Sequence, residues 1–417
     1  MVQPKLRFKR EDGSEYPSLF ECSIKDVSSI KNGPFGSVLH SSDYVLEGTP
    51  IITTEHFKSG IIQSDVSTIP KVSEEDYKRL KGYVLETGDI VFSRVGSIDI
   101  NALVTERENG WLFSGRVIRV RLNGSYHSGY FHYLLSTQRV KNDIVARAVG
   151  QTMPSINSEI LNLTSLMITT SYEEQQKIAD FLSTVDEVIA QSEAEVRNLE
   201  QQKRAAMQKI FSQEVRLKRD DGTEFPEWEE KSLKDCTNFI KDGTHGTHKD
   251  VEQGYYLLSA KDVFNGAIHI GEDSRIISQD DFNSIYKQYS LAVGDVILTI
   301  VGTLGRTAVI TEKYVKVVFQ RSVAILRPNS LADSYYLRYT MENNSFQNEL
   351  EIRKSKGAQA GVYLGTLAEI EIPFPCLEEQ QKIADFLSAY DDAISCAKQE
   401  LDKWKELKKG LLQQMFV

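Results

Sequence analysis

Cysteine is scarce in this chain of 417 residues. Cys22, Cys236, Cys376 and Cys396 are the whole set, and none falls at Cys-x-x-Cys spacing. That argues against a disulfide-stapled secreted domain and against the usual zinc frameworks. The ten prolines include no Pro-Pro pair. No stretch approaches the roughly 18 apolar residues of a membrane span. The opening MVQPKLRFKRED has no apolar signal core, so a cytoplasmic chain without membrane contact is expected. The sequence also lacks Gly-x-x-x-x-Gly-Lys-Ser/Thr, Asn/Asp-Pro-Pro-Tyr/Phe, His-Glu-x-x-His, Gly-x-Ser-x-Gly and a Gly-x-Gly-x-x-Gly after a strand. Nothing in the motif inventory recruits a cofactor or a nucleophile. Basic charge is not in excess either: 49 Lys and Arg face 59 Asp and Glu, for a net charge of −10. No segment is a basic tail, so any nucleic-acid contact must come from local clusters, with acidic surface left for protein partners.

What is present is a duplication. EEQQKIADFLS occurs at Glu173–Ser183 and again at Glu378–Ser388, 205 residues later. A period of half the chain means two large modules of one design rather than a solenoid of short units. The arm LRFKREDGSEYP at Leu6–Pro17 returns as LKRDDGTEFP at Leu217–Pro226, and YVLETGDIVFSRVG at Tyr83–Gly96 returns as YSLAVGDVILTIVG at Tyr289–Gly302. The first arm has no helix before it, so it is expected to pack near the end of the C-terminal helix.

Each repeat ends in a heptad pattern. One seam runs Ile178, Leu182, Val185, Ile189, through Leu199 and Lys203 to Ile210; the other runs Ile383, Leu387, Tyr390, Ile394, Leu401, Trp404 and on through Lys408. Steps of four and three held over more than four heptads mark coiled-coil helices. Each copy is the natural mate of the other, running antiparallel. Thirty-nine residues at ~1.5 Å each span roughly 58 Å. Lys203 and Lys408 hold the same seam position, where a polar residue sets register. An ordinary helical hairpin within one core is the competing reading.

The segments between read as mixed α/β. Strands are expected at Tyr44–Ile52, Asp89–Val95, Val117–Leu122, Asp295–Val301, Ala308–Ile310 and Ser322–Leu326, and helices at Gly129–Ala146 and Leu331–Arg353. Most aromatic residues in those helices are expected in the core. Outside the shared landmarks the two segments diverge, as a duplicated reader would if each half read a different sequence. Candidate contacts lie in small-residue turns, where a backbone can approach a phosphate or base. After the first Gly-Asp strand these are Ser93, Arg94 and Ser97; after the second, Thr299, Thr303 and Arg306. A second group is Lys31 and Ser37 in one module and Thr244, His245 and Lys249 in the other. Arg116, Gln320 and Arg321 have side chains suited to base edges, Arg to guanine and Gln to adenine. Gln151, Lys356 and Gln359 complete the set. Core-capping or turn-forming roles compete at each position. His245 and His248 have no Cys or carboxylate cluster at ligand spacing, and no metal is expected.

The tandem EEQQKIADFLS, the Ile-Pro-Phe-Pro lead-in at Ile372–Pro375, the Gly-Asp strand with its Val-Gly-Ser/Thr turn and the Asp-Gly-Thr-His segment resemble the DNA-specificity subunit of type I restriction–modification enzymes. The resemblance covers essentially the whole chain. The first copy departs at Thr169-Thr170-Ser171, which replaces the proline-rich lead-in, and at Ile98-Asp99-Ile100, which replaces Leu304-Gly305-Arg306. The resemblance implies an α+β architecture: two mixed α/β target-recognition domains joined by two long antiparallel coiled-coil helices in a pseudo-two-fold repeat. The expected division is an arm at 1–17, a first domain at 18–172, a central helix and linker at 173–226, a second domain at 227–377 and a C-terminal helix at 378–417. Each domain would read one half of a bipartite site in double-stranded DNA. Two modification subunits would carry S-adenosylmethionine and the methyl-transfer chemistry, and restriction subunits would bring ATP and Mg²⁺. The chain itself would hold no cofactor and catalyse nothing. Two alternatives remain at this stage, a coiled-coil scaffold without DNA selectivity and a standalone DNA-acting enzyme.

Overall fold

Each Gly-Asp step opens the central strand of a four-stranded sheet. The computed structural model describes residues 3–34, 38–63, 65–150, 154–355 and 360–416. Two compact units divide the chain, residues 1–193 with 399–417 and residues 194–398.

The first unit contains β1 (Phe20–Ser23), β2 (Ser28–Asn32), β3 (Tyr44–Val45), β4 (Thr49–Ile52), β5 (Lys71–Val72), β6 (Ile90–Ser93), β7 (Asn101–Leu103), β8 (Leu112–Phe113), β9 (Val117–Leu122) and β10 (Ser165–Ile168). They form sheets in the orders β2-β9-β6-β7, β3-β5-β4-β8 and β1-β10. The second unit contains β11 (Glu229–Ser232), β12 (Thr237–Asp242), β13 (Tyr255–Leu258), β14 (Val263–Phe264), β15 (Ala267–Ile268), β16 (Arg275–Ile277), β17 (Val296–Thr299), β18 (Thr307–Val309), β19 (Val318–Phe319), β20 (Val323–Pro328) and β21 (Glu371–Phe374). Its main sheet, β12-β20-β17-β18, repeats the order of the first, and β16-β13-β19, β14-β15 and β11-β21 complete it. Even the register is kept: Ile90 faces Val120 in β6/β9, and Val296 faces Leu326 in β17/β20. Both central strands are buried at every residue, which is why they read as continuous apolar runs.

The invariant part of the repeat has a local cause in each unit. Gly88 and Gly294 both take φ 91°, a conformation only glycine adopts without cost. Asp89 and Asp295, each 1% exposed, then accept a two-pronged bond from Arg121 and Arg327, with Nε at 2.7 Å and Nη2 at 2.8 Å in both cases. The second carboxylate oxygen also accepts from the backbone N–H of Glu86 or Ala292, closing the turn.

The EEQQ run is a clamp rather than a seam. In the first unit Arg7 donates to the buried Glu174 at 2.7 and 2.9 Å; in the second Arg216 donates to the buried Glu379 at 3.3 and 2.9 Å. Gln175 accepts from the His127 N–H and donates to the Thr169 carbonyl, while Gln380 accepts from the Asp333 N–H and donates to the Pro375 carbonyl. These bonds tie each arm and each β-domain to the start of a long helix. The Leu6 N–H also donates to the Gln414 carbonyl at 2.9 Å, within the first unit.

The long helices span Tyr172–Phe211 and Leu377–Met415. Within the first unit Asp186 pairs with Lys408 at 2.5 Å and Glu193 with Lys405 at 2.8 Å; within the second, Glu200 pairs with Lys398 at 2.7 Å and Lys203 with Asp391 at 2.6 Å. As one number falls the other rises, so the pairing in each unit is antiparallel. Of the seam residues, Ile178, Leu182, Val185, Ile383, Leu387, Ile394 and Leu401 are buried; Ile189, Leu199, Tyr390 and Trp404 are half-buried. The two seam lysines end in matched polar nodes. Tyr133 donates to Asp186 beside Lys408, and Tyr339 donates to Asp391 beside Lys203.

Three expected elements are corrected. Tyr44–Ile52 is two strands, because β3 and β4 flank β5 on opposite edges and Val72 faces both Tyr44 and Thr49. Gly129–Ala146 is Ser128–Leu135 followed by Gln138–Arg147, and Leu331–Arg353 is Ser334–Glu342 followed by Asn344–Ile352. Thr137 and Asn343 take extended backbones, ψ 148° and 145°, and start the second helix of each pair. The Thr137 hydroxyl donates to the Leu134 carbonyl at 2.7 Å, the local competition that makes Thr and Asn poor helix-interior residues.

Candidate nucleic-acid interface

In both units the loop that follows the short parallel strand, β8 or β19, is held by the same four backbone bonds. Ser114 N–H donates to the Ile52 carbonyl and Gln320 N–H to that of Leu258, at 2.9 and 2.8 Å. Arg94 N–H donates to Arg116 and Ile300 N–H to Ser322, both at 2.9 Å. Val117 and Val323 close the turn onto Ser114 and Gln320, both at 3.0 Å. Gly33 and Gly243 donate to Val117 and Val323, at 2.9 and 3.1 Å. The backbone is common, yet it presents Ser114-Gly115-Arg116 in one unit and Gln320-Arg321-Ser322 in the other.

Glycine is required where these segments meet. A Cβ on Gly33 would lie 1.9 Å from the Ser114 carbonyl oxygen, and one on Gly243 would lie 2.0 Å from that of Phe319. Backbone cannot yield as a flexible side chain does. Gly243→Ala should therefore destabilise the second unit by about 1–3 kcal/mol, the usual range for overpacking, as read by urea unfolding. A neutral result would mean that the junction is loose.

The expected contact residues separate into groups. Arg94 is half-buried, its guanidinium donating to the Ile156 and Gly115 carbonyls at 3.3 and 3.4 Å. It shares a cleft of about 300 Å³ with Gly115 and Ser155. Arg116 is exposed and lines a larger cleft of about 590 Å³ with His40, Tyr44 and Glu55. Ser97 is exposed, and the Lys31 ammonium lies over the Tyr83 ring at 4.8 Å. In the second unit Arg321, His245, Lys249 and Thr303 are exposed and Gln320 is half-buried. Thr244 bridges to Gln320, so these two and Arg321 come together.

Three positions, Ser93, Thr244 and Thr299, are corrected by burial. Ser93 is 3% exposed and Thr299 fully buried, so both belong to strand ends rather than to the surface; Thr299 Oγ1 accepts from the Arg306 N–H at 2.9 Å. Arg306, in the turn after the second Gly-Asp strand, is half-buried. It lines a cleft of about 430 Å³ with Glu200, Lys203, Arg338 and Glu342, beside the long helices of its unit. Ser37, Gln151, Lys356 and Gln359 lie outside the described residues. Three contributors went unread in the sequence. Asp281 bonds His248 at 2.9 Å, and its signal was the Ser278-x-x-Asp281 helix start. Arg7 lies in the arm at Leu6–Pro17, and Arg216 stands one residue before the second copy at Leu217–Pro226.

Burial pushes the Cys22 thiol up to about 11 and that of Cys236 up to about 12, so both stay protonated at neutral pH. Among the described residues no group of three or more His, Cys, Asp or Glu is placed to hold a metal ion, and no helix is long and apolar enough to cross a membrane.

His132, whose Nδ1 lies 2.8 Å from Asn101 Oδ1, is pushed down to about 4 by burial and then by the Lys408 charge. Its folded value lies below the ordinary 6.5, so the unfolded chain binds the extra proton between those two values. Stability of the first unit should therefore fall as pH drops from 6.5 toward 4, and His132→Gln should flatten that slope in urea titrations. An unchanged slope would place His132 in water.

The family described as type I restriction modification DNA specificity domain matches the sequence twice, over residues 19–201 and 226–405. The type I restriction enzyme MjaVIII specificity subunit of Methanocaldococcus jannaschii is 24% identical over 422 residues, covering 97% of this chain and 94% of that one. The EcoBI specificity subunit of Escherichia coli is 23% identical over 406 residues, covering 91% and 81%. The crystal structure of a type I restriction–modification S subunit from M. genitalium matches with a TM-score of 0.59 at 15% identity, over 100% of this chain and 99% of that one. That likeness shows the fold alone. Two matches that together take in both repeats and most of the chain settle its kinship: the chain belongs to the family of type I restriction–modification DNA-specificity subunits.

Proposed function

We propose that the segments 18–172 and 227–377 are two target-recognition domains, each reading one half of a bipartite double-stranded DNA site. One observation carries this reading: the same four backbone bonds hold Ser114-Gly115-Arg116 in one unit and Gln320-Arg321-Ser322 in the other. A shared frame with different side chains is what two readers of different bases need. Affinity comes largely from phosphate contacts and discrimination from base edges, at ~1–3 kcal/mol for each good pairing. Arg94, Ser97, Arg116 and Lys31 serve the first half, and His245, Lys249, Thr303, Gln320 and Arg321 the second. The arm 1–17, the segment 173–226 and the helix 378–417 form the frame that sets the gap between the halves.

The frame also docks the partners. Gln176, Asp180 and Phe181 are exposed, and so are their counterparts Gln381, Asp385 and Phe386. Phe181 meets Phe8 and Phe386 meets Tyr390 edge-on, at 5.7 and 5.5 Å between ring centroids, yet each keeps more than a third of its surface in water. Identical exposed residues at two places suit two copies of one partner, the modification subunits. Those subunits carry S-adenosylmethionine, and restriction subunits bring ATP and Mg²⁺. This chain contributes recognition and no catalysis, in a cytoplasmic complex. Adding one heptad to each long helix lengthens the frame by roughly 10 Å. DNA selected from a random pool by the assembled complex should then show both half-sites unchanged with a wider gap. An unchanged gap would remove the spacing role.

A further inference from the structure

Inside the second unit a carboxylate, an imidazole and a hydroxyl stand in line. Asp281 is fixed at the start of helix Gln279–Tyr289, where its N–H donates to Ser278 Oγ at 3.2 Å and its Oδ2 accepts from the same hydroxyl at 3.1 Å. Its other oxygen lies 2.9 Å from His248 Nδ1. A carboxylate can only accept, so Nδ1 carries the proton and, in the neutral ring, Nε2 is left as an acceptor. Thr244 Oγ1 lies 3.1 Å from that Nε2, so toward the neutral ring its hydroxyl is the donor. The same oxygen accepts from the Gly246 N–H at 3.1 Å. The Gly246 N–H and the imidazole together hold the hydroxyl in one orientation.

Thr244 is 9% exposed, and the His248 side chain 12%. Neither is a surface contact. Their effect is on what Thr244 braces: its N–H donates to the Phe319 carbonyl at 2.8 Å, and its own carbonyl accepts from the Arg321 N–H at 3.0 Å. Gln320 and Arg321, the side chains suited to base edges, ride on that segment. We infer that His248, held by Asp281, is a positioning residue for DNA recognition by the second unit, fixing the Gln320–Arg321 segment through the Thr244 hydroxyl. The inference rests on the DNA-reading role proposed above.

Two variants separate the bonds. Asn at 248 can keep the donor to Asp281 but is too short to accept from Thr244. Gln reaches further and places an amide oxygen near the Nε2 position. In the complex assembled with modification subunits, His248→Asn and Thr244→Val should each relax base preference about tenfold in one half-site and leave the other half unchanged. His248→Gln should restore most of it. Unaltered preference, or an equal loss at every sequence, would overturn the inference in favour of a merely structural role. Nitrogen NMR of the free full-length chain should show His248 protonated at Nδ1, and an Nε2–H tautomer would overturn the geometry without any reference to DNA. A wild-type complex without selectivity would overturn the DNA reading, and with it this role, whatever the tautomer.

Discussion

Exchanging residues 18–160 for the matching segment of a relative with another target changes the bases recognised in one half of the site and preserves the other half. The segment carries the sheets β2-β9-β6-β7 and β3-β5-β4-β8 and the core around Ile52, Phe57, Val91 and Phe113, so it brings its own support. It leaves in place the Arg7–Glu174 pair, the Gln175 bond to the Thr169 carbonyl and the long helices, and the incoming segment has to supply the backbone N–H that His127 gives to Gln175. Each good base-edge pairing is worth ~1–3 kcal/mol, so three lost pairings shift preference by on the order of a hundredfold or more. Sequencing of DNA selected by the assembled complex reads this directly. A change in both halves would mean that the two units do not read independently.

Replacing Arg216 by alanine should cost the second unit about 3–5 kcal/mol, and Arg7→Ala should cost the first unit a similar amount. The reason is asymmetry of exposure. Glu379 is fully buried and Glu174 is 1% exposed, whereas their arginines retain some contact with water. Removing the cation strands a carboxylate where water cannot reach it. The arginine also fastens the arm to itself: Arg216 Nη2 donates to the Pro226 carbonyl at 2.6 Å and Arg7 Nη2 to that of Pro17. Urea unfolding gives the magnitude, and hydrogen exchange shows which unit loosens. A loss under about 1 kcal/mol would class the pair with ordinary surface salt bridges.

Much of this fold could be read from the amino-acid sequence because the duplication marks it twice. The Gly-Asp strands stood out because a glycine at positive φ and a buried Asp leave the same trace in both copies. The long helices stood out because their heptads run unbroken by proline. The helix breaks at Thr137 and Asn343 were hidden, since a single capping residue inside an amphipathic pattern barely alters the period. Ser93 and Thr299 were misread for a related reason. A strand buried on both faces has no alternation to say which small polar residues point inward. Arg306 was placed by its turn, and the turn's direction depends on Gly305 at φ 79° and on the Gln347 amide that donates to the Gly305 carbonyl, 42 residues away in sequence. Asp281 was invisible as a partner of His248 because the two meet only when helix and loop are folded together.

The central claim is that one chain holds two unlike readers on a common frame. Sequencing the methylated positions in DNA from cells that carry this chain with its modification subunits tests it most directly. The account predicts one interrupted motif, with two different half-sites at a fixed separation, that disappears when the chain is deleted. A single uninterrupted motif, or methylation unaffected by the deletion, would contradict it.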